Sequence, residues 1–204
     1  MSFDIDVRRR IGDRTIALQF RTGPGLIALV GPSGVGKTSL LNMVAGLLKP
    51  DAGHIAINGT TLFDSAAGID VPVAQRRAGY VFQDMRLFPH LRVQANLLYG
   101  RPKSGSLAFS DVVRFLGIGH LLDRMPSTLS GGEAKRVAIG RALLSDPAFL
   151  LMDEPLSSLD PARQEEIMIE IGRLRDQFAL PILYVTHSPA EAERLATQTI
   201  RLNV

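Results

Sequence analysis

The residues best suited to chemistry lie in a glycine-rich segment, residues 31–38, that reads Gly-Pro-Ser-Gly-Val-Gly-Lys-Thr. It follows an apolar run and precedes a helical pattern, and glycines in such a loop let backbone N–H groups wrap a row of phosphates. The lysine reaches the terminal phosphates, and the hydroxyl that follows it binds Mg²⁺. We therefore predict a nucleoside triphosphate site formed by Gly31, Pro32, Ser33, Gly34, Val35, Gly36, Lys37, Thr38 and Ser39.

Two carboxylates follow another apolar run, Phe149–Met152, which has the character of a buried strand. Ligands in open α/β sheets sit beyond the carboxyl ends of the strands, so this pair is expected beside the glycine-rich loop. Asp153 is predicted to hold Mg²⁺ directly or through water. Glu154 is left to orient or deprotonate the attacking water, because phosphoryl transfer depends on positioning and charge neutralisation.

Gln83 and His187 each end a further predicted strand. Alone, either side chain is more often an ordinary surface residue, but both are expected at the edge that carries the phosphates. Ser188 and Glu191 form a plausible capping box for the next helix, which places His187 at a strand-to-helix junction within reach of a terminal phosphate.

Residues 129–133, Leu-Ser-Gly-Gly-Glu, permit two interpretations. Ser130 and Glu133 fit a capping box, which explains neither Gly131 nor Gly132. The two glycines indicate a second, approachable helix N-terminus that binds an anion. Since the first loop already surrounds one set of phosphates, a second such helix suggests two chains that share nucleotides head to tail.

Runs of apolar residues predict an α/β fold. It comprises a P-loop NTPase core with a mixed, mainly parallel sheet, an antiparallel β sub-domain and a helical insert. The single domain has its core at about 1–84 and 145–204 and its helical sub-domain at about 85–144. The predicted strands are Phe3–Val7, Thr15–Phe20, Leu26–Val30, His54–Asn58, Thr61–Phe63, Gly79–Phe82, Phe149–Met152, Ile182–Thr186 and Thr199–Asn203.

The composition excludes several classes. Apolar residues make up 46% and charged residues 21%, as in ordinary globular proteins. No apolar run is long enough to span a bilayer, and the N-terminus lacks the features of a signal peptide. The absence of cysteine excludes disulfides and thiol chemistry and fits a cytosolic chain. A net charge of only +3 gives no reason to expect nucleic-acid binding, and Arg8-Arg9-Arg10 is interpreted as a solvated turn.

Together these motifs are similar, in order and spacing, to those of the ATP-binding cassette (ABC) ATPases. The resemblance covers essentially the whole chain. It rests on residues 31–38, Gln83, residues 129–133, residues 150–154, Ser158-Leu159-Asp160 and His187.

The resemblance implies an ATPase that uses ATP and Mg²⁺ and works as a head-to-tail homodimer with two ATPs at the interface. It implies catalytic roles for Glu154, His187 and Gln83. It also implies that Mg²⁺ is bound by Thr38, Gln83 and Asp153. The partner chain contributes Ser130, Gly131, Gly132, Glu133 and Asp160. The dimer drives a transmembrane permease and, indirectly, a periplasmic solute-binding protein. It lies peripherally on the cytoplasmic face of the bacterial inner membrane.

Residues 76–90 further resemble the ATPases of molybdate importers, while importers of iron, sulfate, polyamines or thiamine share parts of the pattern. A non-transport ABC ATPase and a small P-loop kinase or GTPase are the alternatives. Met85, Leu87 and Phe88 are expected either to line a groove for a permease helix or to pack in the core.

Two departures from the family pattern carry expectations. No aromatic residue lies between Phe3 and Phe20 to stack on adenine, so Arg10 or Ile11 is the candidate replacement and base selectivity should be loose. Glu133 stands where glutamine is commoner.

Relatives often continue into a C-terminal regulatory domain. Since few residues follow His187 here, we expect no response to cytosolic oxyanion.

Overall fold

The computed structural model describes residues 1–202. In chain order the strands are β1 (Phe3–Ile11), β2 (Arg14–Arg21), β3 (Leu26–Val30), β4 (Ala52–Ile57), β5 (Thr60–Asp64), β6 (Ile69–Asp70), β7 (Ala78–Val81), β8 (Phe149–Asp153), β9 (Ile182–Thr186) and β10 (Gln198–Arg201). The helices are α1 (Lys37–Ala45), α2 (Val93–Leu98), α3 (Phe109–Phe115), α4 (Gly131–Leu144), α5 (Pro161–Gln177) and α6 (Pro189–Leu195).

The described strands separate into two five-stranded sheets. One is antiparallel, in the order β2-β1-β4-β5-β6, and the other is parallel, in the order β10-β3-β9-β8-β7. This arrangement confirms the predicted combination of a P-loop core with an antiparallel sub-domain. The predicted end of the last strand, Asn203, lies outside the described residues.

The basic run Arg8-Arg9-Arg10 is not a turn, so that interpretation was wrong. It continues β1, where Arg8 pairs with Ala17 and Arg10 with Thr15 of β2. Arg9 is fixed by an ion pair with Asp51, which also accepts a hydrogen bond from the backbone N–H of Arg10. Pairing with β2 and β4 and the contacts with Asp51 decided the conformation of this segment, and the sequence pattern does not report these partners.

The three central strands of the parallel sheet, β3, β8 and β9, are buried on both faces, which explains their apolar sequences. Successive residues of β3 alternate between two buried clusters: Ile27 and Leu29 belong to the cluster that includes α1 and the antiparallel sheet, whereas Leu26 and Ala28 belong to the cluster that includes α4, α5 and α6. The strand ends are therefore held rigidly from both sides, and β3, β8 and β9 deliver their carboxyl ends to a common edge.

The helical region shares its core with the parallel sheet. Residues of α2, α3 and α4 belong to the same buried cluster as Val81 and Leu150. A side chain at Gly140 would come within 2.7 Å of Leu97, so glycine permits the close approach of α4 and α2. Within residues 1–202, no helix combines the length and the apolar character required to cross a bilayer.

Candidate functional site

The glycine-rich loop lies between β3 and α1, as its sequence predicts. Gly34 and Gly36 have φ values of 82° and 104°, a left-handed conformation that glycine adopts without steric cost. The ammonium group of Lys37 is buried and donates hydrogen bonds to the carbonyl oxygens of Gly31, at 2.8 Å, and Pro32, at 2.9 Å. The lysine thus folds back across its own loop, which holds its positive charge above the backbone.

Thr38 and Asp153 meet although they are 115 residues apart in the chain. The Thr38 hydroxyl donates a hydrogen bond of 3.1 Å to Oδ1 of Asp153. Burial raises the pKa of Asp153 above its usual range, while this hydrogen bond acts in the opposite direction. A hydroxyl and a buried carboxylate form the small protein ligand set with which Mg²⁺ is held together with phosphates.

Glu154 lies between Lys37 and His187. One carboxylate oxygen, Oε2, lies 3.1 Å from Nδ1 of His187, and the other, Oε1, lies 3.8 Å from Nζ of Lys37. Its φ of 43° is left-handed, a conformation that is costly outside glycine and that persists only when the surroundings enforce it. The backbone N–H of Glu154 donates to the carbonyl of Val185 at 3.0 Å, which ties this strained residue to β9.

His187 is held by its neighbours at the junction of β9 and α6. Ser188 is the N-cap of α6 and accepts a hydrogen bond from the backbone N–H of Glu191. The expected reciprocal half of the capping box is absent among the described contacts. The Glu191 carboxylate instead accepts hydrogen bonds of 2.7 Å from Tyr184 and Thr186. These bonds join β9 to α6 and thereby fix the turn that carries His187.

A cavity of about 380 Å³ opens beside the glycine-rich loop. The loop and strand-end residues that line it are Ser33, Gly34, Gly36, Lys37, Thr38, Ser39, Gln83 and Glu154. At its other end the walls are Ile11, Arg14 and Ile16. Ile11 is one of the two expected replacements for an aromatic base platform. The other, Arg10, does not line the cavity and turns its Nε to the carbonyl of Gly12. No sequence motif marks Arg14 and Ile16, because the pairing of β1 with β2 brings them to the loop.

The segment 129–133 forms the predicted capping box at the start of α4. Ser130 accepts from the backbone N–H of Glu133, whose carboxylate accepts from the backbone N–H of Ser130 at 2.7 Å. Gly132 is buried rather than bare, and a side chain at Gly131 would come within 3.1 Å of Leu159. Within one chain, neither this segment nor Asp160 lines the loop cavity, and Asp160 serves as the N-cap of α5.

A second cavity, of about 500 Å³, adjoins the first, and Thr38 and Gln83 line both. Lys135 of α4 also lines it and is only 2% exposed. Its ammonium group donates a hydrogen bond of 2.7 Å to the backbone carbonyl of Gln83, and burial lowers the pKa of Lys135 to about 8. No sequence motif marks Lys135, because a single lysine in a helical segment is usually a solvent-exposed residue.

A protein-family model described as ABC transporter matches residues 14–157. The chain belongs to the ABC transporter family.

Curated relatives of this ABC cassette carry the name molybdenum import ATP-binding protein ModC. The protein from Brucella melitensis is 54% identical over 202 residues, which are 98% of this chain and 56% of the relative. That from Rhizobium meliloti is 52% identical over 204 residues, 98% of this chain and 57% of the relative. The cassette therefore spans just over half the length of these relatives.

Solved structures agree with the fold of the cassette. The dimeric structure of MJ0796, a bacterial ABC transporter cassette, superimposes with a TM-score of 0.78 at 26% identity, covering 99% of this chain and 94% of that one. A dimeric post-hydrolysis state of MJ0796 bound to ADP and Pi gives the same TM-score and identity, covering 100% of this chain and 94% of that one.

Proposed function

We propose that this chain is the ATP-hydrolysing subunit of a bacterial ABC importer for molybdate or a similar oxyanion. The observation that carries the enzymatic part is that Lys37 and Glu154 line one cavity together, that His187 contacts Glu154, and that Thr38, in the same wall, is bonded to Asp153. A phosphate-binding lysine, a pair of Mg²⁺ ligands and a fixed carboxylate are the parts that phosphoryl transfer to water requires.

In this proposal, the loop N–H groups and Lys37 hold the triphosphate of ATP, and Thr38, Asp153 and Gln83 hold Mg²⁺. The ion would neutralise charge on the phosphates. Glu154 accepts the proton of the attacking water, and His187 keeps the carboxylate in place through the 3.1 Å contact to Oε2. The left-handed backbone at Glu154 fixes its direction before nucleotide binds, so little reorganisation is required.

The placement of the segment 129–133 supports a head-to-tail homodimer. These residues and Asp160 do not line the loop cavity of their own chain, although the glycine-rich start of α4 suits an anion. A second copy would supply Ser130, Gly131, Gly132, Glu133 and Asp160 to that cavity. The solved cassette MJ0796 is dimeric, which supports a dimer of this chain as well.

The proposed partners are a transmembrane permease and, through it, a periplasmic solute-binding protein, which puts the chain on the cytoplasmic face of the inner membrane. An open apolar cavity of about 390 Å³, walled in part by Phe82, Phe88 and Tyr99, is the proposed permease contact. Of the three residues expected there, Phe88 lines this cavity, whereas Met85 and Leu87 pack against the buried core.

Transport measured in cells tests the proposal. A strain without its own molybdate importer receives this chain with the permease and solute-binding protein of the same locus, and uptake of labelled molybdate is followed. We expect uptake that depends on ATP and is abolished by Lys37→Ala. Uptake of iron, sulfate, polyamine or thiamine instead would assign another importer. ATP hydrolysis without uptake of any of these solutes would favour a non-transport ABC ATPase.

A further inference from the structure

The loop that follows β7 has an unusual backbone. Met85 and Arg86 are consecutive non-glycine residues with φ values of 61° and 45°. Left-handed residues of this kind are disfavoured and persist where surrounding contacts hold them. Two backbone hydrogen bonds help to hold this conformation: the N–H of Met85 donates to the carbonyl of Phe82, and the N–H of Arg86 donates to the carbonyl of Asp84. They use the carbonyls of Phe82 and Asp84 and leave those of Gln83, Met85 and Arg86 to other donors.

Two cationic side chains of α4 bind those carbonyls. Lys135 donates to the carbonyl of Gln83 at 2.7 Å, and Arg141 donates to the carbonyls of Arg86, at 2.8 Å, and Met85, at 3.1 Å. The helix therefore holds the loop at both ends. Gln83, at one end of the loop, is the residue of this loop that lines the glycine-rich loop cavity.

Core packing alone does not explain a lysine at position 135, because burying its ammonium group costs free energy of desolvation. Lys135 is 2% exposed, and the Gln83 carbonyl is its one hydrogen-bond acceptor among the described residues. The carboxylates of Asp84 and Asp153 act on it electrostatically without a direct ion pair. An apolar side chain would fill the same space without the desolvation of an ammonium group, so the hydrogen bond to Gln83 is the feature that distinguishes lysine here.

We propose that Lys135 is a positioning residue for hydrolysis: by binding the Gln83 carbonyl, it fixes the direction in which Gln83 enters the nucleotide cavity. Lys135 lies on α4, which begins at Gly131. The same bond therefore fixes the position of Gln83 relative to the start of α4, which in the proposed dimer contacts the nucleotide of the partner chain. This inference rests on the proposed ATPase function, and it adds a residue outside the motifs that predicted that function.

Three variants test it in the full chain. Lys135→Met keeps the length of the side chain but removes the donor, and Lys135→Gln keeps a donor without charge. Arg141→Met is the matched control, since it removes two hydrogen bonds to the same loop at residues other than Gln83. We expect Lys135→Met to lower the rate at saturating Mg²⁺ and ATP about tenfold, with ATP affinity within about twofold. Lys135→Gln should recover most of the rate, and Arg141→Met should stay within about twofold of wild type.

Hydrogen exchange of the backbone N–H of Met85, which donates to the carbonyl of Phe82 at 3.0 Å across the turn that contains Gln83, provides a second readout. It should speed up in Lys135→Met and not in Lys135→Gln. If Lys135→Met and Arg141→Met reduce the rate equally, or if Lys135→Gln recovers nothing, the positioning role is wrong. If the wild-type chain hydrolyses no ATP, the proposed function fails. Unchanged exchange at Met85 in Lys135→Met would then separately refute the claim that Lys135 holds this turn.

Discussion

Replacing Glu154 by glutamine tests the proposed chemistry most directly. Glutamine keeps the size of the side chain but cannot take a proton from water. Losing a positioned general base lowers rates by about 10²–10⁴, which corresponds to a barrier higher by about 3–5 kcal/mol. We therefore expect hydrolysis to fall by at least about a hundredfold. ATP affinity should be retained or increased, because the variant removes a negative charge from the glycine-rich loop cavity, in which the phosphates are proposed to bind.

The structure indicates that this variant folds. Glutamine keeps the backbone bonds of residue 154, to the carbonyl of Val185 at 3.0 Å and from the Ser157 hydroxyl at 2.8 Å. What it loses is the charge opposite His187 and Lys37, at 3.1 and 3.8 Å. Such contacts in a partly accessible site contribute about 1 kcal/mol. For a chain of 204 residues, that lowers Tm by about 2–4 °C.

Phosphate release at saturating Mg²⁺ and ATP, nucleotide binding at equilibrium and light scattering together form the assay. The bound variant should remain a dimer, because ATP closes the interface and is not consumed. Glu165→Gln is the control, since it removes a carboxylate that forms an ion pair with Arg194 at 2.6 Å outside the cavity. Its rate should stay within about twofold of wild type. A Glu154→Gln rate within about tenfold of wild type would remove Glu154 from the base role.

Three further predictions concern the partner chain, the base and the helix cap. Hydrolysis should rise faster than linearly with protein concentration, and a mixture of Lys37→Ala and Gly132→Asp chains should regain one composite site that neither has alone. Strict linearity down to dilute monomer would contradict the shared site. GTP should inhibit ATP hydrolysis with an affinity within about tenfold of that of ATP, because Ile11, Arg14 and Ile16 provide contacts that any base can make. A GTP affinity a hundredfold weaker than that of ATP would reveal a base-reading group elsewhere. Glu133→Gln should lose about 0.5 kcal/mol of unfolding free energy at neutral pH. The hydrogen bond from the Ser130 N–H lowers the pKa of Glu133, so its stabilisation exists above the ordinary value of 4.5 and is lost as pH falls through the lower folded value. Urea unfolding on both sides of that pH checks this, and a difference that does not shrink in acid would refute it.

Local sequence determined the elements that carry the site. The continuous apolar runs of β3, β8 and β9 are typical of strands buried on both faces, and the carboxyl ends of parallel strands share an edge of the sheet. The glycines at 34 and 36 specify the left-handed loop, and Ser130 with Glu133 specifies the start of α4. Each of these signals depends on neighbours a few residues apart, so it is present in the chain before folding.

Tertiary structure decided what depends on distant partners. Arg8-Arg9-Arg10 became a strand because it pairs with β2 and because Asp51, 41 residues after Arg10, binds it, and Arg14 reached the glycine-rich loop cavity through the β1–β2 hairpin. Glu154 took a left-handed backbone because β9 accepts its N–H and His187 faces its carboxylate. Lys135 became a buried donor to Gln83 because α4 packs on β7, a contact between residues 52 positions apart. A sequence pattern reports the apolar face of each element, but the atoms that a side chain meets are set by how the elements pack.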